Sequence, residues 1–113
     1  MEGVVLNVNS NDRVSTADDV VRSSAAATVQ IDNERVTVTE WRFPPGTETG
    51  WHMHPVDYVV VPITGGELTV ETRTGASTNP LAIGASYTRE AGSEHNVVNE
   101  TGAEVAFVEI ELK

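Results

Sequence analysis

Three histidines, His52, His54 and His95, are all that this 113-residue chain contains, and each lies in a short stretch framed by glycine. His52 and His54 alternate in Gly50-Trp51-His52-Met53-His54. Side chains of an extended strand repeat every second residue, so both imidazoles leave the same face. His95 comes much later, in Gly92-Ser93-Glu94-His95-Asn96-Val97-Val98-Asn99. Two imidazoles from one strand and a third from a distant one predict a half-open metal site. Imidazole suits Zn, Cu, Fe and Ni, and three protein ligands leave positions for substrate, water or dioxygen. An isolated His-x-His is often mere surface decoration; the third histidine and the glycine frames favour the site. With every histidine committed there, a Ser-His-Asp triad has no base. Gly65-Gly66 is read as a turn, because no lysine follows it as in a phosphate loop.

The elements that must position these residues read as strands. Short runs rich in Val, Ile and Thr are separated by Gly, Pro, Asn and Asp clusters, with no long helical period. Strands are expected at Thr28–Ile31, Arg35–Phe43, Gly50–His54, Tyr58–Ile63, Glu67–Thr72, Ser86–Arg89, Asn96–Val98 and Glu104–Leu112. In the last, Ala106, Val108, Ile110 and Leu112 share one face, with Glu109 and Glu111 on the other. Asp32-Asn33-Glu34 and Thr64-Gly65-Gly66 read as hairpin turns, and Pro44-Pro45-Gly46 as a strand stop. Gly46, Gly65, Gly84 and Gly92 are expected to make turns. Regularly spaced short strands argue for an all-β sandwich or barrel. Residues 28–113 are assigned to it as a single domain. Residues 1–27 form an N-terminal arm, with Val4–Val8 as an edge strand or a segment exchanged with a partner subunit.

Composition narrows the function classes. A chain of 12.1 kDa supports one core. There is no cysteine, which excludes disulfides, thiolate ligands and Cys nucleophiles. No apolar run is long enough to span a bilayer, and the N-terminus lacks the basic-then-apolar pattern of a secretory leader. A cytoplasmic protein is therefore expected. Net charge is −10. So acidic a surface repels phosphate backbones and anionic lipid, so neither nucleic acid nor membrane is expected as a partner.

The two histidine segments resemble the paired motifs of the cupin superfamily, small β-barrels of the jelly-roll (double-stranded β-helix) type. Gly46, His52, His54, Tyr58 and Gly65 occupy the positions of its first motif, with Tyr58 where a glutamate ligand is usual. Gly84, Gly92, His95 and Asn99 match the second, with Glu90 replacing a proline. Val38-Thr39-Glu40-Trp41-Arg42-Phe43 and Phe107-Val108-Glu109-Ile110-Glu111 look most like small single-domain bacterial cupins, some of which carry a β-alanine-degradation label.

The resemblance implies a cupin barrel, paired as a homodimer, with one divalent transition metal on His52, His54 and His95. Fe(II) is favoured over Zn, Ni, Mn or Cu. Without the glutamate, the dication keeps its full charge and favours an anionic small molecule that chelates through two oxygens. By analogy with three-histidine iron cupins, the activity expected is that of a dioxygenase. A non-catalytic metal- or metabolite-binding module is the alternative, as is a metal-dependent isomerase or lyase. Tyr58 has three roles open to it: phenolate ligand, hydrogen-bond donor to the bound molecule, or packing. The donor role is favoured, since an ordinary phenol pKa near 10 makes ligation costly. Asp57 is the rival carboxylate, but on a regular strand it faces outward. Trp51 and Met53 are read as packing residues, Glu90 and Glu94 as solvated acids, and Asn99 as a backbone-bonding turn residue.

Overall fold

The computed structural model describes residues 21–113. The edge strand expected at Val4–Val8 lies outside the described residues. Eleven strands form two facing sheets, with no helix among the described residues, so the all-β jelly roll is the fold adopted. In chain order they are β1 (Ser23–Ser24), β2 (Ala26–Asp32), β3 (Val36–Phe43), β4 (Thr47–Glu48), β5 (His52–Met53), β6 (Tyr58–Pro62), β7 (Gly66–Thr72), β8 (Gly75–Leu81), β9 (Tyr87–Arg89), β10 (Glu94–Val98) and β11 (Val105–Leu112). One sheet runs β1-β4-β10-β7-β8, with β5 also on β10; the other runs β2-β3-β11-β6-β9. Every pairing is antiparallel except β1 with β4.

Most expected strands are present, and the differences have physical reasons. β8, Gly-Ala-Ser-Thr-Asn-Pro-Leu, was not expected, because its composition is that of a turn. It stands at a sheet edge, where Pro80 removes no ladder bond that a neighbour needs. Strand β2 starts at Ala26 and β1 at Ser23, both before residue 28. Only His52 and Met53 of the Gly50–His54 stretch are in strand. Of the turn glycines, Gly46, Gly84 and Gly92 take positive φ, but at the β6–β7 turn it is Gly66, with φ +124°, rather than Gly65. There a Cβ would stand 3.1 Å from Val105 Cγ2, so the turn needs glycine for space as well as for conformation.

The core lies between the sheets. Phe43 and Val105 are essentially sealed, Leu68 nearly so, and the Phe43 and Phe107 rings stack at 5.8 Å. Each such side chain gains roughly 2–3 kcal/mol from leaving water. Asn99 is fully buried and behaves as a backbone clamp. Its Nδ2 donates to Phe43 O and to Ala103 O, both at 2.8 Å, while its Oδ1 accepts from Thr101 N at 2.9 Å. It thereby ties the end of β3 to the turn before β11.

Register decides which side of the second sheet looks inward. Directly paired residues share a face, so Phe107, Glu109 and Glu111 of β11 line up with Trp41, Thr39 and Thr37 of β3 and with Pro62, Val60 and Tyr58 of β6. This is the interior face: Phe107, Glu109, Val60 and Tyr58 are all buried. The apolar set Val108, Ile110 and Leu112 faces outward instead, beside Val36 and Val38 of β3 and Val59 and Val61 of β6. The strand alternates as expected, with the glutamates on the inner side.

Candidate metal centre

The three histidines converge. β5 and β10 pair with His52 opposite His95, so those two rings share a face by register alone. The pairing continues past β5 through His54 N to Ser93 O at 3.0 Å and Gly92 N to His54 O at 2.7 Å, which keeps His54 in step two residues on. Ring centroids lie 4.7 Å apart for His52–His54, 4.7 Å for His52–His95 and 5.2 Å for His54–His95, all edge-to-face. One nitrogen from each of the three falls within 4.8 Å of the others.

Hydrogen bonds around the rings fix which nitrogens face inward. His52 Nδ1 is 2.8 Å from Gly50 O, a carbonyl that can only accept, so Nδ1 carries the proton and Nε2 presents its lone pair. Gly50 is held in turn by Asn96, whose Oδ1 accepts the Gly50 N–H at 2.9 Å and whose Nδ2 donates to Glu48 and Glu71 at 2.9 and 3.0 Å. Asn96 neighbours His95, so one buried amide locks the two histidine-bearing segments together. His54 Nδ1 lies 3.3 Å from Glu111 Oε2 and 3.4 Å from Glu109 Oε2, so it too is the protonated nitrogen. Both Nε2 lone pairs therefore point at the same place, 3.0 Å apart. Two lone pairs so placed repel unless a cation lies between them. About 3 Å is also the spacing of adjacent nitrogens bound to one ion at about 2.1 Å. The donor set fits a metal.

Electrostatics agree. Burial pulls His95 down to about 4, helped by the two imidazoles beside it, and burial also lowers His54 against the opposing pull of Glu111. Both are neutral near pH 7, as a ligand must be. Burial pushes Tyr58 above the ordinary phenol value, against a smaller lowering by Ser93. Its ring is buried and stacks on His54 at 4.0 Å and 27°, which keeps it a protonated phenol beside the centre.

Other expected residues fall where their surroundings put them. Asp57 accepts from Ala91 N at 2.8 Å and lies outside the cluster. Glu94 pairs with Arg73 at 3.0 Å, and Glu90 is exposed. Trp51 and Met53 correct the expectation of packing: they are 54% and 60% exposed, because they alternate with histidines that point inward. Met53 sits at the lip of the cavity.

The cavity around the centre has a volume near 580 Å³. Glu109, Glu111, Trp41 and Arg89 line it, and the sequence reading assigned none of them a role there. Glu109 is buried, accepts from Trp41 Nε1 at 3.2 Å and, mainly through burial, is pushed up to about 7. The signal for the glutamates was the alternation along β11; what it lacked was which face is inside.

Residues 39–111 match the family described as Cupin domain. Over 92 residues the chain is 56% identical to the beta-alanine degradation protein BauB of Pseudomonas aeruginosa, an overlap covering 81% of this chain and 97% of that protein. The crystal structure of a cupin domain from Bordetella pertussis superposes with a TM-score of 0.81 at 61% identity, covering 84% of this chain and 99% of that one. A double-stranded beta-helix domain protein from Klebsiella pneumoniae, 21% identical with a TM-score of 0.67 over 90% of each chain, shares the fold.

Proposed function

Because this chain belongs to the cupin family, we propose that it is a metal-dependent enzyme, an Fe(II) dioxygenase acting on a small anionic molecule that chelates through two oxygens. The observation that carries this reading is the pair of Nε2 lone pairs aimed at one point 3.0 Å apart, with His95 completing the set. His52, His54 and His95 would hold the ion. A divalent metal held there would polarise the oxygens of a chelating substrate, and iron would supply the one-electron chemistry that dioxygen requires.

The chain's own residues do the rest. Three neutral imidazoles bring no charge to a dication, Glu111 behind His54 offsets part of it, and the remainder favours an anionic partner. Glu111 holds His54 in its ligating tautomer, and metal-bound histidines characteristically rely on such partners. Tyr58, kept protonated by burial, serves as a hydrogen-bond donor to the bound molecule, while Val60, Leu68 and Phe107 keep that end of the cavity apolar.

Oxygen uptake tests this. Protein reconstituted anaerobically with Fe(II) is expected to consume dioxygen with at least one member of a panel of diketones and oxo acids. The panel includes 3-oxopropanoate, in which an aldehyde stands where β-alanine has its aminomethyl group, since the relative BauB is named for β-alanine degradation. Tight binding without turnover would instead mark a binding or sensing module, and turnover without oxygen an isomerase or lyase.

We place the protein in the cytoplasm as a homodimer. The outward face of the second sheet supports pairing: Ile31 and Leu112 stand 47% and 45% exposed on the same side as Val38, Val59 and Ile110. A contiguous apolar face of that kind is characteristic of an interface. Light scattering coupled to size exclusion is expected to give twice the chain mass; a monomer at micromolar concentration would remove the dimer.

A further inference from the structure

Arg89 is the one lysine or arginine lining the cavity among the described residues. The chain has 17 acids against 7 lysines and arginines, and most of its described cations meet a carboxylate, the exposed Arg35 being one exception. Arg22 meets Glu48 at 3.1 Å, Arg42 meets Glu40 at 3.1 Å, Arg73 meets Glu94 at 3.0 Å and Lys113 meets Asp32 at 2.7 Å. Arg89 makes no ion pair among the described residues. Its guanidinium lies 4.4 Å over the Tyr87 ring, and one Nη1–H donates to Thr88 O at 3.1 Å. Tyr87 is steadied in turn by Asn79, whose Nδ2 donates to the Tyr87 hydroxyl at 2.8 Å.

Register aims this assembly inward. β9 pairs with β6 so that Arg89 lies opposite Tyr58 and Tyr87 opposite Val60, both on the cavity side. An arginine held by stacking, with most of its five donors uncommitted, is a fork that fits a carboxylate.

We propose that Arg89, braced on Tyr87, anchors a carboxylate of the substrate distinct from the two oxygens that chelate the metal. The substrate class is therefore a small carboxylic acid carrying a separate 1,3-dioxo or oxo-hydroxy pair. This rests on the metal-centre reading above for the chelating half alone.

A matched pair of probes separates the two halves. Heptane-2,4-dione and 4,6-dioxoheptanoate carry the same chelating diketone, and the second ends in a carboxylate, two methylenes away from it, where the first ends in a methyl group. Calorimetry on Zn(II)-loaded protein is expected to show the acid binding roughly tenfold or more tightly than the neutral diketone, as a charge-assisted hydrogen-bond pair permits. Arg89→Gln should remove that preference, Arg89→Lys should keep part of it, and the zinc content of both variants should match the parent. Arg89 is exposed, so both variants are expected to fold. Equal affinity for the two probes in the parent protein would overturn the proposal, as would a preference that survives Arg89→Gln. Titrations of metal-free protein with succinate, followed by amide shifts at Tyr87–Arg89, report on the anchor alone. If diketone binding proves independent of metal while the Arg89-dependent response to succinate persists, the metal-centre reading fails and the carboxylate anchor stands.

Discussion

His95→Ala protein is expected to bind divalent metal about 100-fold or more weakly than the parent, measured by competition with a chromophoric chelator near pH 7. The argument is one of ligand count. His52 and His54 come from neighbouring positions and can still hold an ion loosely, but the third imidazole closes the set from the opposite strand. The variant should fold, since the β5–β10 pairing runs through the backbone at His95 and not through its ring. His54→Ala is less clean, because it also removes the stack on Tyr58. Glu111→Gln provides the graded comparison. It leaves all three imidazoles in place but weakens the acceptor at His54 Nδ1, and about a tenfold loss is expected. Unchanged affinity in His95→Ala would remove the metal centre.

The contrast between these residues shows what the chain makes legible. His52 and His54 are local in sequence, and a two-residue spacing on an extended segment suffices to place them together. His95 needs a long-range pairing, yet its glycine frame and family motif announced it. Glu109 and Glu111 were visible as an alternation with Val108 and Ile110, but alternation alone has no sign. Either face could have been the inner one, and an apolar face ordinarily goes inside. Here the apolar side faces outward and the polar side forms the wall of a site. That inversion follows from the register of β11 against β3 and β6, which no short stretch of sequence encodes. Arg89 was hidden for a related reason. A single arginine in a three-residue strand becomes informative only when it is seen to face the cavity without an ion pair among the described residues. β8 was missed because an edge strand tolerates residues that elsewhere make turns.

The buried Glu109 leads to a second large effect, this one in metal-free protein. The residue is 8% exposed and its carboxyl is, chiefly through burial, raised from an ordinary 4.5 to about 7. Between those values the folded state retains a proton that the unfolded chain has released. Folding stability from this group is thus fully present below about pH 4.5 and is lost as pH rises through about 7. The shift corresponds to roughly 3 kcal/mol. Glu109→Gln has no such proton, so its stability relative to the parent should climb by that order between pH 4 and pH 8, read by denaturant unfolding at each pH. His54 and His95 act in the opposite sense, since their lowered values make stability rise with pH; His95 is common to both proteins and cancels, whereas His54 lies 3.4 Å from Glu109 and couples to it, so the difference reports the Glu109–His54 pair. The loss of the Trp41 hydrogen bond shifts the whole curve without giving it a slope. Curves that stay parallel across the range would mean that Glu109 is ionised in its ordinary range. A slope of the expected sign would establish a carboxylic acid that exchanges its proton near neutrality inside the cavity, where general acid–base chemistry on a bound molecule requires one.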